Sequence, residues 1–245
     1  MINTFKRCEK KFIISSRQFE KLMPRLEEYT KKDEYCTKEG CYKIYNVYYD
    51  TPDSSVIRRS LSKPYYKEKL RMRSYSVPEN DTDRVFLELK KKIGGTVNKR
   101  RAVLTLGDAL DFVQKGIKPE ANDYITRQVL NEIDYFLKIN PVRPAAYIAY
   151  TRTALFGKKN PDLRITFDSR ITTRRTDVSL MSGCYGSQLL GQDQYLMEVK
   201  FSGSMDTRTA KILSELKIYP TSFSKYGTEY KQYCMSRTEK TAANF

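Results

Sequence analysis

The 245-residue chain carries a formal charge of +16 and no histidine, and 40% of its residues are hydrophobic. That composition excludes a disordered chain and a helical membrane span, since no run of about 18 apolar residues occurs. It also excludes the usual histidine base, the Ser-His and Cys-His nucleophile pairs and His-ligated zinc, while the charge asks for an anionic partner.

Residues 5–14 read as a first strand, with Arg7, Glu9 and Lys11 on one face. Ser15 or Ser16 caps a helix running to about Thr30, whose apolar stripe is Phe19, Leu22, Met23 and Leu26. Residues 31–41 are polar and loop-like. YKIYNVYYDT (42–51) is strand-like and ends at the turn signal Thr51-Pro52-Asp53, where Asp50 reads as a turn cap. KEKLRMRSY (67–75) follows, then RVFLELKKK (84–92), a Gly94-Gly95 turn and VNKRRAVLTL (97–106), together a hairpin. Residues 107–116 and about 122–139 carry helical spacing. Three strands come next, AAYIAYTRTAL (145–155), DLRITFDSRI (162–171) and QYLMEVKF (194–201). A helix begun by Asp206 covers 206–218, and a last helix follows Ser224. Hairpins interrupted by helices predict an α+β fold with a mainly antiparallel sheet, in one domain spanning 1–245.

The cysteines Cys8, Cys36, Cys41, Cys184 and Cys234 are odd in number and form no Cys-x-x-Cys pair, which fits free thiols in a reducing compartment. The N-terminal MINTFKRCEKKF lacks the apolar core of a signal peptide.

Strand after strand shows one charged face. Lys67, Lys69, Arg71 and Arg73 align on one side of 67–75, with spacing of about 7 Å at which cations repel. Glu88 and Lys90 share a face in 84–92, Lys99 and Arg101 in 97–104, Arg164, Thr166 and Asp168 in 162–170, and Glu198 and Lys200 in 194–201. An antiparallel sheet with one wet face would account for simple alternation. Here, however, cations dominate, and the amphipathic helices need an apolar surface to cover. Helices on the apolar side leave the charged side as the inside of a curved or closed sheet. A barrel of about eight strands has room there for side chains or one small ligand, and crowded cations would call for a strong anion.

Taken in order, RCEKKF (7–12), YYDT (48–51), KEKLRMRSY, LELKKK (87–92), VNKRR (97–101), YTR (150–152), LRITFD (163–168), LMEVKFSG (196–203) and FSKYGTEY (223–230) resemble the vacuolar transporter chaperone (VTC) domain. This is the polyphosphate polymerase branch of the CYTH-like triphosphate tunnel superfamily. The resemblance implies a closed antiparallel barrel with helices outside, a basic tunnel, and a Mn²⁺ or Mg²⁺ ion with ATP inside. By motif, Lys11, Arg71, Arg73, Lys90, Lys99, Arg152, Arg164 and Lys200 would bind the triphosphate and the growing polymer, with Arg101 joining Lys99 or facing away. Arg100 points the other way on alternation. Glu198 would be the metal carboxylate, with Glu9 and Glu88 as helpers. Lys225, with Ser224 beside it, would be catalytic together with Arg152 and Arg164.

Such chemistry needs no histidine, because phosphoryl transfer calls mainly for positioning and neutralisation. The expected activity is transfer of the γ-phosphate of ATP to polyphosphate. The alternatives are a tunnel-family triphosphatase and a non-catalytic polyphosphate binder. A nucleic-acid module is disfavoured, since the cations alternate within strands and no RRM, KH or zinc pattern occurs. The sensing domain and membrane helices of eukaryotic relatives have no counterpart here. That points to a cytoplasmic enzyme, free-standing or docked on a separately encoded membrane protein.

Overall fold

The computed structural model describes residues 7–36 and 40–242. Residues 5 and 6 of the expected first strand and 37–39 of the expected loop lie outside them. Among the described residues the chain forms ten strands and six helices. In chain order these are β1 (Arg7–Ser15), α1 (Ser16–Glu27), β2 (Thr30–Lys32), β3 (Tyr42–Asp50), α2 (Ser55–Leu61), β4 (Tyr66–Ser74), β5 (Arg84–Ile93), β6 (Thr96–Thr105), α3 (Leu106–Lys115), α4 (Tyr124–Ile139), β7 (Arg143–Gly157), β8 (Arg164–Arg174), β9 (Ser187–Gln188), β10 (Gln194–Ser202), α5 (Thr207–Glu215) and α6 (Lys225–Ala242).

The hydrogen-bonded path runs β1-β10-β8-β7-β3-β4-β5-β6, with β2 on β7 and β9 on β8. The ladders β1·β10, β10·β8, β2·β7, β3·β4, β4·β5 and β5·β6 are all antiparallel. The expected α+β class with a large antiparallel sheet holds. Closure is another matter. The path ends at β1 and β6, and no ladder between them is present among the described residues, so the pairings do not show a closed barrel.

By contacts the chain forms two compact units. The first comprises Met1–Lys43, Tyr150–Ile171 and Gln188–Ser224; the second comprises Ile44–Ala149, Thr172–Ser187 and Lys225–Phe245. Each has its own core. In the first, Phe12, Ile14, Ile165, Phe167, Met197, Val199 and Phe201 line the apolar side of β1, β8 and β10. Leu22 and Leu26 of α1 and Ile212 and Leu213 of α5 cover them. In the second, Val47, Tyr49, Leu70, Met72, Val85, Leu87, Leu89 and Ala102 form the apolar side, beneath Phe112 of α3 and Val129, Leu130, Ile133 and Phe136 of α4. The inference that the helices cover the apolar faces therefore holds in each unit.

Local chemistry sets the helix starts. Ser15 closes a capping box with Gln18 on α1, while Thr105, Asp123 and Asp206 cap α3, α4 and α5. The β5–β6 turn uses Gly94 and Gly95 at φ +53° and +89°, a left-handed pair that favours glycine. A Cβ at Gly94 would also lie 2.9 Å from the Tyr65 ring. On the apolar side Glu132 of α4 binds Lys91 and Arg100, both at 3.0 Å, fastening that helix to the hairpin. Arg100 thus faces away from the charged side, as alternation predicts.

Candidate functional site

In the second unit the charged side of β4, β5 and β6 is organised around one carboxylate. Register sets Arg71 opposite Glu88 and Glu88 opposite Arg101. Glu88 is 1% exposed. Its Oε2 accepts from Arg71 Nε at 2.6 Å, and its Oε1 accepts from Lys99 Nζ at 2.5 Å and Arg101 Nε at 2.7 Å. Arg73 Nε stands 3.9 Å away and donates to Asn46 Oδ1 at 2.9 Å. Asn46 in turn donates to the Ile148 carbonyl at 2.9 Å, which fixes the amide orientation. So Lys99 and Arg101 both belong to this face, which resolves the alternative left open by the sequence.

Burial alone would raise Glu88, but Arg71, Arg73 and Lys99 outweigh it and hold the carboxylate far below its ordinary range. The surplus charge falls on Lys99. Burial, joined by Arg101 and Arg71, overcomes the pull of Glu88 and brings its ammonium down to about 8.

Tyr48 of β3 lies opposite Arg71 and accepts from its Nη1 at 3.3 Å. Its ring stacks on Tyr226 of α6 at 4.8 Å. Tyr226 donates to Asp50 Oδ2 at 2.7 Å. Asp50 also accepts from the Val56 and Ile57 amides at 3.0 Å each, so it caps α2, a helix the sequence reading did not include. α6 is further held by Arg175, whose Nε and Nη2 reach Glu229 at 2.7 and 2.8 Å. Lys225, the first residue of α6, is 8% exposed. Burial would raise the Tyr48 phenol, yet Arg71, Lys225 and Arg73 together hold it below its usual value.

In the first unit the charged side of β1, β10 and β8 carries successive rows: Glu9, Lys200 and Arg164, then Lys11, Glu198 and Thr166. Lys11 Nζ lies 3.3 Å from Glu198 and 3.4 Å from Glu9, and Lys200 lies 3.9 Å from Glu198. Arg152 of β7 is clamped by Asp168, Nε to Oδ1 at 2.6 Å and Nη2 to Oδ2 at 2.8 Å. Arg164 reaches Asp33 at 3.5 Å and covers the Phe156 ring at 4.9 Å. Its buried Nε and the buried Thr166 Oγ1 have no partner, an uncommon condition for buried polar atoms. Thr221 N donates to the Lys11 carbonyl at 2.7 Å and lays the chain before Ser224 along β1. Ser224 is half-buried.

The VTC-domain family model matches residues 6–234. The chain belongs to the VTC-domain family. No curated protein matches this VTC domain by sequence. Among solved structures, a candidate adenylate cyclase from Bacillus halodurans is 13% identical, covers 89% of this chain and 95% of its own, and superposes with a TM-score of 0.53. That likeness is one of fold. A candidate adenylate cyclase from Vibrio parahaemolyticus (10% identical, coverages 92% and 98%) and the Mimivirus capping enzyme triphosphatase (11%, 85% and 87%) score lower, 0.48 and 0.32.

The expected metal carboxylates of this VTC domain differ in surroundings. Among the described residues no group of three or more histidine, cysteine or acidic side chains is arranged to hold a metal. Glu198 and Glu9 share one cation, the Lys11 ammonium, and a Mg²⁺ or Mn²⁺ ion needs only one or two carboxylates when phosphates complete its shell. They fit the group. Both oxygens of Glu88 already meet cations, and it fits poorly.

Sequence reasoning did not single out Asn46, Tyr226 or the clamp formed by Asp168. Asn46 had a signal, a lone amide among the aromatic and aliphatic residues at the centre of its strand. Asp168 had one too, an acid in line with Arg164. Tyr226 had none beyond its motif.

Proposed function

We infer that this VTC domain is a metal-dependent polyphosphate polymerase that transfers the γ-phosphate of ATP to a polyphosphate chain and releases ADP. The observation that carries the reading is charge surplus on an organised face. The charged side of β4, β5 and β6 bears nine cations, Lys67, Lys69, Arg71, Arg73, Arg84, Lys90, Lys92, Lys99 and Arg101, against the single carboxylate Glu88. A solvated face has no need of such a surplus, whereas phosphates do. Family membership supports phosphate-rich ligands, and the fold likeness is consistent with it.

In this reading residues 1–245 act as one functional domain whose basic faces line a tunnel, the barrel closing around the anion. Lys11, Arg71, Arg73, Lys90, Lys99, Arg101, Lys200 and Ser224 bind the triphosphate and polymer. Arginine forks take two phosphate oxygens each, while lysines supply compact charge. Glu88 serves as a bracket that holds four cations ready rather than as a metal ligand, and Asp168 does the same for Arg152. Such preorganised charge requires no rearrangement as the transition state forms.

The terminal phosphate oxygen of the acceptor attacks the γ-phosphorus, the bond to the β-phosphate oxygen breaks, and ADP leaves with that electron pair. Arg152, Arg164 and Lys225 neutralise charge on the transferring group. Lys225 opens α6, where the helix dipole is already positive, an unfavourable place for a cation unless an anion shares it. Glu198 and Glu9 would hold a Mn²⁺ or Mg²⁺ ion, which would neutralise charge between phosphate oxygens when bound. No helix of the described residues is long and apolar enough to cross a membrane. We read the enzyme as cytoplasmic, with a separately encoded membrane protein as a partner it could dock on.

The test is to incubate the purified chain with ATP and Mn²⁺ or Mg²⁺. A polymer ladder with stoichiometric ADP supports the reading. Free phosphate alone would mark a triphosphatase, and polyphosphate binding without turnover a non-catalytic binder.

A further inference from the structure

The charged side of β4–β6 is not uniform. Reading register across all three strands gives four rows, with Arg84 and Thr105 forming a further pair on β5 and β6 beyond them. Two of them, Arg73 with Phe86 and Val103, then Arg71 with Glu88 and Arg101, contain the arginines of β4 and β6 and the only carboxylate of this face. Tyr48 and Asn46 of β3 extend them. In these rows each guanidinium has a fixed acceptor: Glu88 for Arg71 and Arg101, Asn46 for Arg73. The next two rows, Lys69 with Lys90 and Lys99, then Lys67 with Lys92 and Val97, contain five lysines and no arginine or carboxylate, with Lys99 at the border reaching back to Glu88 at 2.5 Å. Glu68 is no exception, because it points to the opposite side and binds Lys91 there at 3.4 Å.

We propose that this face has two zones, an arginine–carboxylate zone that grips the reacting phosphates and a lysine zone (Lys67, Lys69 and Lys92 beside Lys90 and Lys99) that carries the body of a long polyphosphate chain. The proposal rests on the polyphosphate reading above and adds a preference for chain length. Three arguments support it.

The first is electrostatic. Neighbouring strands lie about 4.8 Å apart and rows about 6.7 Å apart, so the lysines crowd within about one Debye length at physiological salt. Lys67 feels this crowding: burial first, then Lys92 and Lys63, depress its ammonium, which donates to the Ser60 carbonyl at 2.9 Å, while Lys99 is brought down to about 8 by burial with Arg101 and Arg71. A polyanion laid across the rows removes that penalty.

The second is chemical. A guanidinium locked onto an acceptor presents a fork of fixed direction, suited to one phosphate at one position. A lysine ammonium has no such direction, so it can exchange one phosphate for the next. That suits a repeating polymer that must advance after each addition.

The third is topological. The lysine rows lie toward the Gly94-Gly95 end of the β5–β6 hairpin, beyond the Glu88 row, so a chain gripped at Arg71 and Arg101 can continue along them.

The experiment compares tripolyphosphate with long-chain polyphosphate by titration calorimetry on the full chain. The proteins are wild type, Lys67→Gln/Lys69→Gln/Lys92→Gln, and a charge-matched control, Lys21→Gln/Lys211→Gln/Lys231→Gln, whose three residues are exposed on helices. The first variant is expected to lose tenfold or more in affinity for the long chain and to stay within twofold for tripolyphosphate, with the control unchanged for both. Equal loss for both ligands would merge the zones into one site, and an unchanged long-chain affinity, or an equal loss in the control, would leave the lysines no special role; each overturns the proposal. Wild type binding neither ligand would instead overturn the polyphosphate reading, and this proposal with it. Circular dichroism melts of all three proteins separate lost binding from lost folding.

Discussion

Replacing Glu88 by Gln tests the most concentrated piece of electrostatics in the molecule. The side chain is 1% exposed and faces Arg71, Arg73, Lys99 and Arg101, whose side chains are 21%, 7%, 40% and 33% exposed. Glutamine keeps the volume and one acceptor but removes the charge that offsets four cations. Removing one partner of a buried ion pair costs about 3–5 kcal/mol. The partial exposure of Lys99 and Arg101 lets water share the load, which favours the lower end. For a chain of this size each kcal/mol moves Tm by about 2–4 °C, so a fall of about 6–20 °C is expected. Urea unfolding at pH 7 supplies the free energy and a calorimetric scan the Tm.

Tripolyphosphate should then stabilise Glu88→Gln more than wild type, since it supplies the missing negative charge. A loss below about 1 kcal/mol would show that solvent already screens the cluster, and would refute the buried-bracket reasoning. Weaker stabilisation of the variant by tripolyphosphate, seen only when Mn²⁺ is present, would return Glu88 to the role of metal ligand. The pH dependence has a definite sign. The folded carboxylate titrates below the unfolded value of about 4.3, so its contribution is complete above that value. It is lost as pH falls from there through the folded value. Glu88→Gln should flatten that acid limb.

Three further outcomes follow from the same geometry. Lys225→Met should lower the polymerisation rate by about 10²–10³, the cost of losing one donor to transition-state charge, with tripolyphosphate affinity changed much less; rate and affinity falling together would make Lys225 a binding residue. Asp168→Asn leaves the deeply buried Arg152 short of its counter-charge and should cost about 3–5 kcal/mol in urea unfolding, whereas Arg152→Met/Asp168→Leu should recover most of that stability while losing polyphosphate binding. Because Lys99 stands near 8 in the free protein, a bound polyanion should draw it back to full protonation. Binding at pH 8 should then take up about half a proton from buffer and weaken as pH rises through 8 to 9; calorimetry in buffers of different ionisation enthalpy counts the proton, and Lys99→Gln should abolish the uptake.

Strand positions and charged faces were legible in the sequence because period-2 alternation is a direct record of which side is buried. KEKLRMRSY sets Leu70 and Met72 against Lys69, Arg71 and Arg73, and β4 spans Tyr66–Ser74, although Arg73 on the charged side is buried as well. α2 was not legible. Its N-cap residue, Ser54, takes a left-handed conformation with no side-chain cap bond, and its amides are satisfied instead by Asp50, several residues upstream across a turn. Capping patterns read only neighbours within about three residues, so such a helix leaves no local mark. β2 is three residues long and owes its state to β7, a partner more than a hundred positions away.

The same limit governs the site. Alternation says that Arg71, Glu88 and Arg101 share a side of their strands, but not that one carboxylate faces all of them, because that depends on register between strands and register is a tertiary quantity. Hence Glu88 read as a metal helper by motif alone, while the register that sets Arg71 and Arg101 opposite it on both sides favours a bracket. Glu198 does not change in that way. Across the strands it meets Lys11, which also reaches Glu9, and Thr166, while Lys200 of its own strand stands 3.9 Å away. These contacts, at 3.3 to 3.9 Å, are looser than those at 2.5 to 2.7 Å that hold both oxygens of Glu88, so a metal competes more easily for Glu198 than for Glu88.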